Sequence, residues 1–307
     1  LECVVNVSEG TSPGLLGELA EACGTTLLDV HSDGYHGRSV FTLAGDDREF
    51  VESAKQLTRA AVARLDLTTH RGVHPRLGVV DVVPFVPIEL GTFEQGTFGL
   101  DTFEQGTFEQ GTVEQGTVEL GTVSACLDLA PACAARDEFG VWAALELELP
   151  VFFYGPLADG APDRTLPELR RGAFGACAPD VGPRRPHPTA GAICVGARQA
   201  LVAYNIWLEE PDLARAKAIA QAIRGPEVRA LGLAVGTGVQ VSCNLVAPFK
   251  VGPGAVTEAV AALATVERCE LVGLLPAGVL AAEPQSRWGE LDLAADRTVE
   301  ARLAHAR

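Results

Sequence analysis

The sequence contains no methionine, few aromatic residues and no run of basic residues. It also has no apolar stretch approaching the roughly 20 residues that a membrane-spanning helix requires. Only 6% of its 307 residues are Phe, Trp or Tyr, yet 47% are hydrophobic, so its core must be built mainly from Ala, Val and Leu. Leu1-Glu2-Cys3 offers no basic region followed by an apolar run, and no signal peptide is expected. Eight cysteines stand singly, at 3, 23, 126, 133, 177, 194, 243 and 269, without any Cys-x-x-Cys spacing. Most lie in apolar segments such as Ile193-Cys194-Val195, the pattern expected of reduced core thiols in a cytoplasmic protein, not of disulfides or zinc ligands. Bases are short as well: 24 Lys and Arg against 40 Asp and Glu give a net charge of −16. Nucleic acid is therefore excluded as an expected partner, since phosphate binding needs clustered cations. Any anionic ligand would need a local island of positive charge.

One segment differs from the rest. Residues 89–123 are seven copies of a five-residue unit typified by Glu-Gln-Gly-Thr-Phe, and they carry seven of the acids and no base. A period of five matches neither helix nor strand, so the Phe and Val positions cannot share one face. Seven units are too few for a stacked solenoid core. The segment reads as a tandem-duplication insert in a surface loop, dispensable to the chemistry.

Elsewhere strand-like and helix-like segments alternate. Cys3–Val7, Thr26–Val30, Arg38–Leu43 and Val79–Val86 read as strands. Ser12-Pro13 opens a helix by an N-cap and an N1 proline. From Asp46 to Leu65 the residues Phe50, Ala54, Leu57, Ala61 and Leu65 make one apolar stripe. Pro131–Leu147 is a further helix. Pro179–Gly191, with four prolines and two glycines, reads as an interdomain linker. Beyond it, Ala192–Val195 pairs with Ala200–Trp207, Arg229–Ala234 and Val239–Val246 form a hairpin, and Asp212–Arg224 and Ala255–Val266 are helices. The expected fold is α+β: two α/β subdomains, each a mixed sheet with helices on one side. The boundaries expected are 1–180 for the first subdomain with its insert, 181–290 for the second, and 291–307 for a tail.

Four of the six histidines fall in two loops, His31–Arg38 and His70–Gly78. His70 and His74 stand four apart, but Gly72 and Pro75 oppose a helix there and no third ligand is spaced for zinc, so no metal is expected. Residue logic alone leaves His74 either a plain loop histidine or a proton-transfer group. Pro75 restricts the backbone before it to extended geometry. Arg76 adds a permanent fork suited to carboxylates.

Glu2–Gly10, Leu27–Val30, His36–Thr42, His70–Gly78 with Asp81–Pro87, Val151–Gly155, Leu166–Gly172, His187–Ala192, Gly196–Arg198, Ala203–Asn205 and Val239–Leu245 together, and in this order, resemble the signatures of the formiminotransferase family. That resemblance implies two α/β subdomains flanking a folate cleft, and transfer of a formimino group between N-formiminoglutamate and tetrahydrofolate as co-substrate. It places the family's catalytic histidine at His74. Bidentate pairing nominates Arg38, Arg76, Arg184, Arg185 and Arg198 as the cations for the carboxylates. Asn6, Asn205, Gln240 and Asn244 are candidates for the amide-rich pterin edge, and Asn6, Arg38 and Arg76 are the expected substrate contacts. The resemblance maps the folate-binding stretch onto Gly182, Pro183, Arg184, Arg185, Pro186, His187, Pro188, Thr189, Ala190 and Gly191. Folate and glutamate-type molecules are the expected partners, in a homodimer. The sequence departs from the family pattern at Val5, His31, Gly37 and Ala190. Formyl transfer between the same partners, or folate binding without catalysis, are the alternative readings.

Overall fold

The computed structural model describes residues 1–45, 47–88, 127–157 and 163–306, and the repeat at 89–123 lies outside them. The described residues form two sheets, as the α+β expectation required. The first sheet has six strands, β1 (Glu2–Val7), β2 (Leu27–Asp33), β3 (Arg38–Ala44), β4 (Val80–Val86), β5 (Val151–Tyr154) and β6 (Ile193–Ala197), in the order β2-β3-β1-β4-β6-β5. β1 runs antiparallel to both β3 and β4, whereas β6 is parallel to β4 and to β5.

Alternation decides the faces. Cys3, Val5 and Val7 of β1, with Phe41 and Leu43 of β3, point to a core shared with α1 (Pro13–Ala22), α2 (Asp47–Arg64) and α3 (Ala130–Glu146). The α2 stripe is buried as its spacing predicts: Phe50, Ala54, Leu57 and Ala61 have no exposed surface. Each such Phe or Leu contributes roughly 1.5–3 kcal/mol on burial. On the opposite face Val82, Phe152, Tyr154 and Cys194 pack with Leu169 of α4 (Leu166–Gly172). This sheet is thus partly covered on both sides, not on one. The start of α1 also differs in detail from expectation. Ser12 makes no side-chain cap; the Glu9 carboxylate instead accepts the backbone N–H groups of Gly10, Thr11 and Ser12.

The second sheet has the order β10-β7-β9-β8, with β7 (Val202–Leu208), β8 (Val228–Val235), β9 (Gly238–Leu245) and β10 (Val266–Val272) all antiparallel. Val202, Tyr204 and Ile206 alternate inward with Val239, Val241 and Cys243 against α5 (Leu213–Ala222) and α6 (Pro253–Ala261). β10 begins at Val266, where the helix expected over Ala255–Val266 had been extended too far.

Three features of the chain's division differ from the sequence expectation. β6 pairs with β4 and β5 and not with β7, so the change of sheet falls between Ala197 and Val202 and not at 180. The segment read as an interdomain linker therefore packs within the first subdomain. Its glycines and prolines serve sharp local turns, such as Gly182 at φ +86°. The terminal residues are not a tail: α8 (Val299–Ala306) sets Val299 and Leu303 against Leu28 and Ala44 of the first sheet and Leu274 of the second half.

Candidate active site

The polar centre lies on the first sheet where β1, β3 and β4 meet, between α4 and the second sheet. Its origin is a β-bulge. Asn6 pairs with Val82 and Val7 with Val80, so Asp81 has no residue opposite it in β1. A bulged residue is re-aimed out of the pleat. Asp81 is completely buried, accepts the Leu77 N–H at 2.7 Å, and accepts from Nη2 of Arg38 at 2.5 Å and from Nη2 of Arg170. Burial works against its ionisation, but Arg38 and Arg170 outweigh that and hold its carboxyl below the usual range. One buried carboxylate thus fixes two guanidinium groups, and the pair of arginines leaves the spot net positive. Here is the positive island that an acidic protein needs for an anion.

Arg38 spreads its fork over Asn6 Oδ1 at 3.0 Å, the Pro75 carbonyl at 3.2 Å and Asp81, while Asn6 Nδ2 donates to the Val4 carbonyl at 3.0 Å. The Nε atoms of both Arg38 and Arg170 are buried without a partner among the described residues. Arg76 serves differently from the expectation of an open carboxylate fork. Its nitrogens donate to the backbone carbonyls of His74, Gly37 and His36, stapling the 70–78 loop to the turn before β3. That turn needs a glycine at 37. Its φ is +58°, and a Cβ there would lie 2.7 Å from the Arg71 carbonyl and 2.9 Å from the His70 ring.

The half-buried His74 ring is held by the same carbonyl that Arg38 reaches: Nδ1 stands 2.8 Å from the Pro75 oxygen. A carbonyl only accepts, so Nδ1 carries the proton and Nε2 keeps its lone pair. Burial, and next the Arg38 charge, push the imidazole down to about 3, with Arg170 acting the same way and the Pro75 hydrogen bond and Asp81 opposing. At neutral pH His74 is a neutral base. The His36 ring lies 6.2 Å away in an edge-on arrangement.

The expected folate stretch is brought partly to this place. Gly191 bridges Gly78, the Thr189 carbonyl accepts from Leu67 N–H, and the Ala190 carbonyl accepts from Val79 N–H, so its second half lines the base of the His74 loop. His187 Nδ1 accepts from Ala190 N–H at 3.0 Å and locks the turn, and Ala190 is buried. Gly182, Pro183, Arg184, Arg185, Pro186 and Pro188 are exposed, and no ion pair of Arg184 or Arg185 occurs among the described residues. Arg198 donates to the Gln199 carbonyl at 2.9 Å, near the far end of β6. His31 faces Glu270 of β10 at 3.8 Å, so it belongs to the contact between the two sheets. Among the described residues no group of three or more His, Cys, Asp or Glu is set to hold a metal, and no helix is long and apolar enough to cross a membrane.

Sequence reasoning missed Asp81, Arg170, Asp33 and His36 as site residues. Arg170 follows a capping box, Thr165 to Glu168, on a short helix, and that box says where the helix starts and not what it faces.

Taken together, a neutral imidazole lies beside one buried and one half-buried guanidinium group on an α+β frame, the groups that proton transfer on an anionic small molecule requires. The profile of the formiminotransferase domain, N-terminal subdomain, matches residues 1–105 and 112–198. The chain is 35% identical over 238 residues to the glutamate formimidoyltransferase of Streptococcus pyogenes serotype M1, covering 73% of this chain and 68% of that one. It is 31% identical over 243 residues to the glutamate formimidoyltransferase of Thermoplasma acidophilum, covering 74% and 68%. The formimidoyltransferase-cyclodeaminase of Sus scrofa is 33% identical over 219 residues, 67% of this chain but only 34% of that protein. The chain belongs to the formiminotransferase family.

Proposed function

We propose that the protein is a glutamate formimidoyltransferase, moving a formimino group between N-formiminoglutamate and tetrahydrofolate with His74 as the acid–base residue. The observation that carries this is the His74 lone pair on Nε2, presented beside Arg38 and Arg170. His74 takes the proton of the attacking folate amine as its nitrogen bonds to the formimino carbon. It then returns that proton to the glutamate amine as the old carbon–nitrogen bond breaks. General acid–base help of this kind contributes roughly 10²- to 10⁴-fold.

The depressed imidazole value also has a use. A substrate carboxylate placed against Arg38 and Arg170 offsets the charges that lower it, so binding raises the basicity of His74 at the moment it is needed. The unpartnered Nε–H groups of the two arginines suit such an anion. The exposed Arg184 and Arg185, on the loop that lines the His74 segment, are the cations proposed for the folate carboxylates.

The test is turnover of N-formiminoglutamate with tetrahydrofolate by wild type and His74→Ala. Wild type is expected to turn over, and the variant to lose at least about a hundredfold in kcat while keeping its melting temperature. Turnover surviving the substitution nearly intact would remove His74 from the reaction. Folate binding without any transfer by wild type would remove the reaction itself.

A further inference from the structure

A second histidine stands behind the base, and its surroundings decide more than packing. His36 is 7% exposed and sits between groups from both sheets. Its backbone N–H donates to Asp33 Oδ1 at 2.8 Å, and its Nδ1 lies 2.9 Å from Asp33 Oδ2. Burial opposes the Asp33 charge, but the hydrogen bonds from His36 and the Tyr35 backbone prevail and draw its carboxyl down to about 2. An ionised carboxylate only accepts, so a His36 ring with a single proton carries it on Nδ1 and has its lone pair on Nε2. That lone pair is 3.2 Å from Nε2 of Gln240, which stands in the middle of β9 with no exposed surface. The amide must therefore present its NH2 to the ring, and its oxygen faces the other way. Orientation passes in one direction: acid, imidazole, amide.

The consequence is an acceptor with nothing to accept. Gln240 Oε1 is the one buried side-chain oxygen without a partner among the described residues. A buried acceptor left unmet is destabilising, and native structures keep few of them. Its neighbours on the same face do not share this condition. Glu270 takes Asn205 Nδ2 at 3.1 Å and Trp207 Nε1 at 3.0 Å. The unmet oxygen lies one imidazole beyond His74, whose ring is 6.2 Å from that of His36.

We propose that Gln240 is a specificity-determining residue of the transfer reaction, its Oε1 accepting a hydrogen bond from a planar N–H of the substrates, with Asp33 and His36 as the positioning residues that fix which amide atom is offered. This rests on the formimidoyltransferase reading. Two sources carry that chemistry, the pterin ring of the folate and the formimino group. A site built to accept from an N–H discriminates strongly against a ligand lacking one, because its own buried group is then left unpaired.

The experiment uses the full chain and measures binding of tetrahydrofolate alone and of N-formiminoglutamate alone by calorimetry, beside thermal melts. Gln240→Leu is expected to weaken one of the two ligands by roughly tenfold or more and leave the other within about twofold. Gln240→Glu, which keeps an acceptor oxygen, should bind that ligand better than Gln240→Leu. Asp33→Asn gives a second, independent reading. An asparagine can turn its NH2 to His36 Nδ1, moving the ring proton to Nε2 and reversing the Gln240 amide, so the same ligand should be weakened and its KM raised. Loss confined to tetrahydrofolate assigns the pterin, and loss confined to N-formiminoglutamate assigns the formimino group. Unchanged binding of both ligands in folded Gln240→Leu and Asp33→Asn would overturn the proposal. So would equal weakening of both ligands together with a fall in melting temperature, since that marks a structural amide. A wild-type protein that binds neither ligand and shows no turnover fails at the parent reading instead.

Discussion

Replacing Asp81 by Asn should be among the most damaging conservative substitutions in this protein. Asp81 has no exposed surface, and its two oxygens receive the Leu77 N–H and the guanidinium groups of Arg38 and Arg170. An asparagine can still accept the Leu77 N–H through its oxygen, but its NH2 then meets two sets of donors. The charge that neutralised the arginines is gone as well. Breaking a buried ion pair by removing one partner costs about 3–5 kcal/mol, because a charge is left uncompensated. At roughly 2–4 °C per kcal/mol for a chain of this size, the melting temperature should fall by about 6–20 °C. Circular dichroism melts at pH 7 measure this directly.

The same contact has a pH signature. The folded Asp81 carboxyl titrates below the ordinary value near 3.9, so its contribution is fully present above that value and is lost as pH falls through the folded one. The Asn variant should lack that part of the acid transition. Adding Arg170→Gln to Asp81→Asn should recover part of the loss, since it removes one of the two orphaned cations, and the two changes should not be additive. A melting temperature within 2 °C of wild type, or strict additivity, would refute the view that Asp81 holds the arginines in place.

Four further outcomes follow from the geometry. Native His74 binds its proton only near pH 3 while an unfolded histidine binds one near 6.5, so stability should fall on acidification through that window, and His74→Gln should flatten this part of a denaturation-versus-pH series. Arg170→Gln alone should raise the KM for the anionic substrate in steady-state assays and shift the acid limb of kcat/KM upward, since one charge depressing His74 is removed. Arg76→Lys loses the fork that holds the His74, Gly37 and His36 carbonyls, and kcat should drop about tenfold or more with little change in melting temperature. Gly191→Ala forces a Cβ to 2.2 Å from the Leu77 carbonyl at a φ of +75°, so urea midpoints should drop by an equivalent of more than about 1 kcal/mol, with the 187–191 turn displaced.

Local patterning carried much of the fold. The spacing of Phe50, Ala54, Leu57 and Ala61 was enough to place α2 and its buried face, because a 3.6-residue period has one geometric solution. The hairpin of β8 and β9 was legible for the matching reason of period two. Ordered motifs likewise brought out His74, and the proline and arginine beside it marked a held loop. Pairing was different. Whether Ile193–Ala197 joins β7 or slots between β4 and β5 depends on parallel partners distant in sequence, and no local signal encodes that choice. The roles of the arginines were also beyond the sequence. Arg38 and Arg76 read alike as carboxylate forks, yet a bulge in β4 aims Asp81 at the first while the 36–37 carbonyls take the second. His36 and Gln240 stand 204 residues apart along the chain, and only the packing of one sheet against the other makes them a unit with Asp33. Sequence periodicity thus determined the elements and the two-sheet class, and the ordered family motifs singled out His74. Tertiary structure alone decided the charges around it, because hydrogen-bond and ion-pair partners are set by distance in space and not by spacing along the chain.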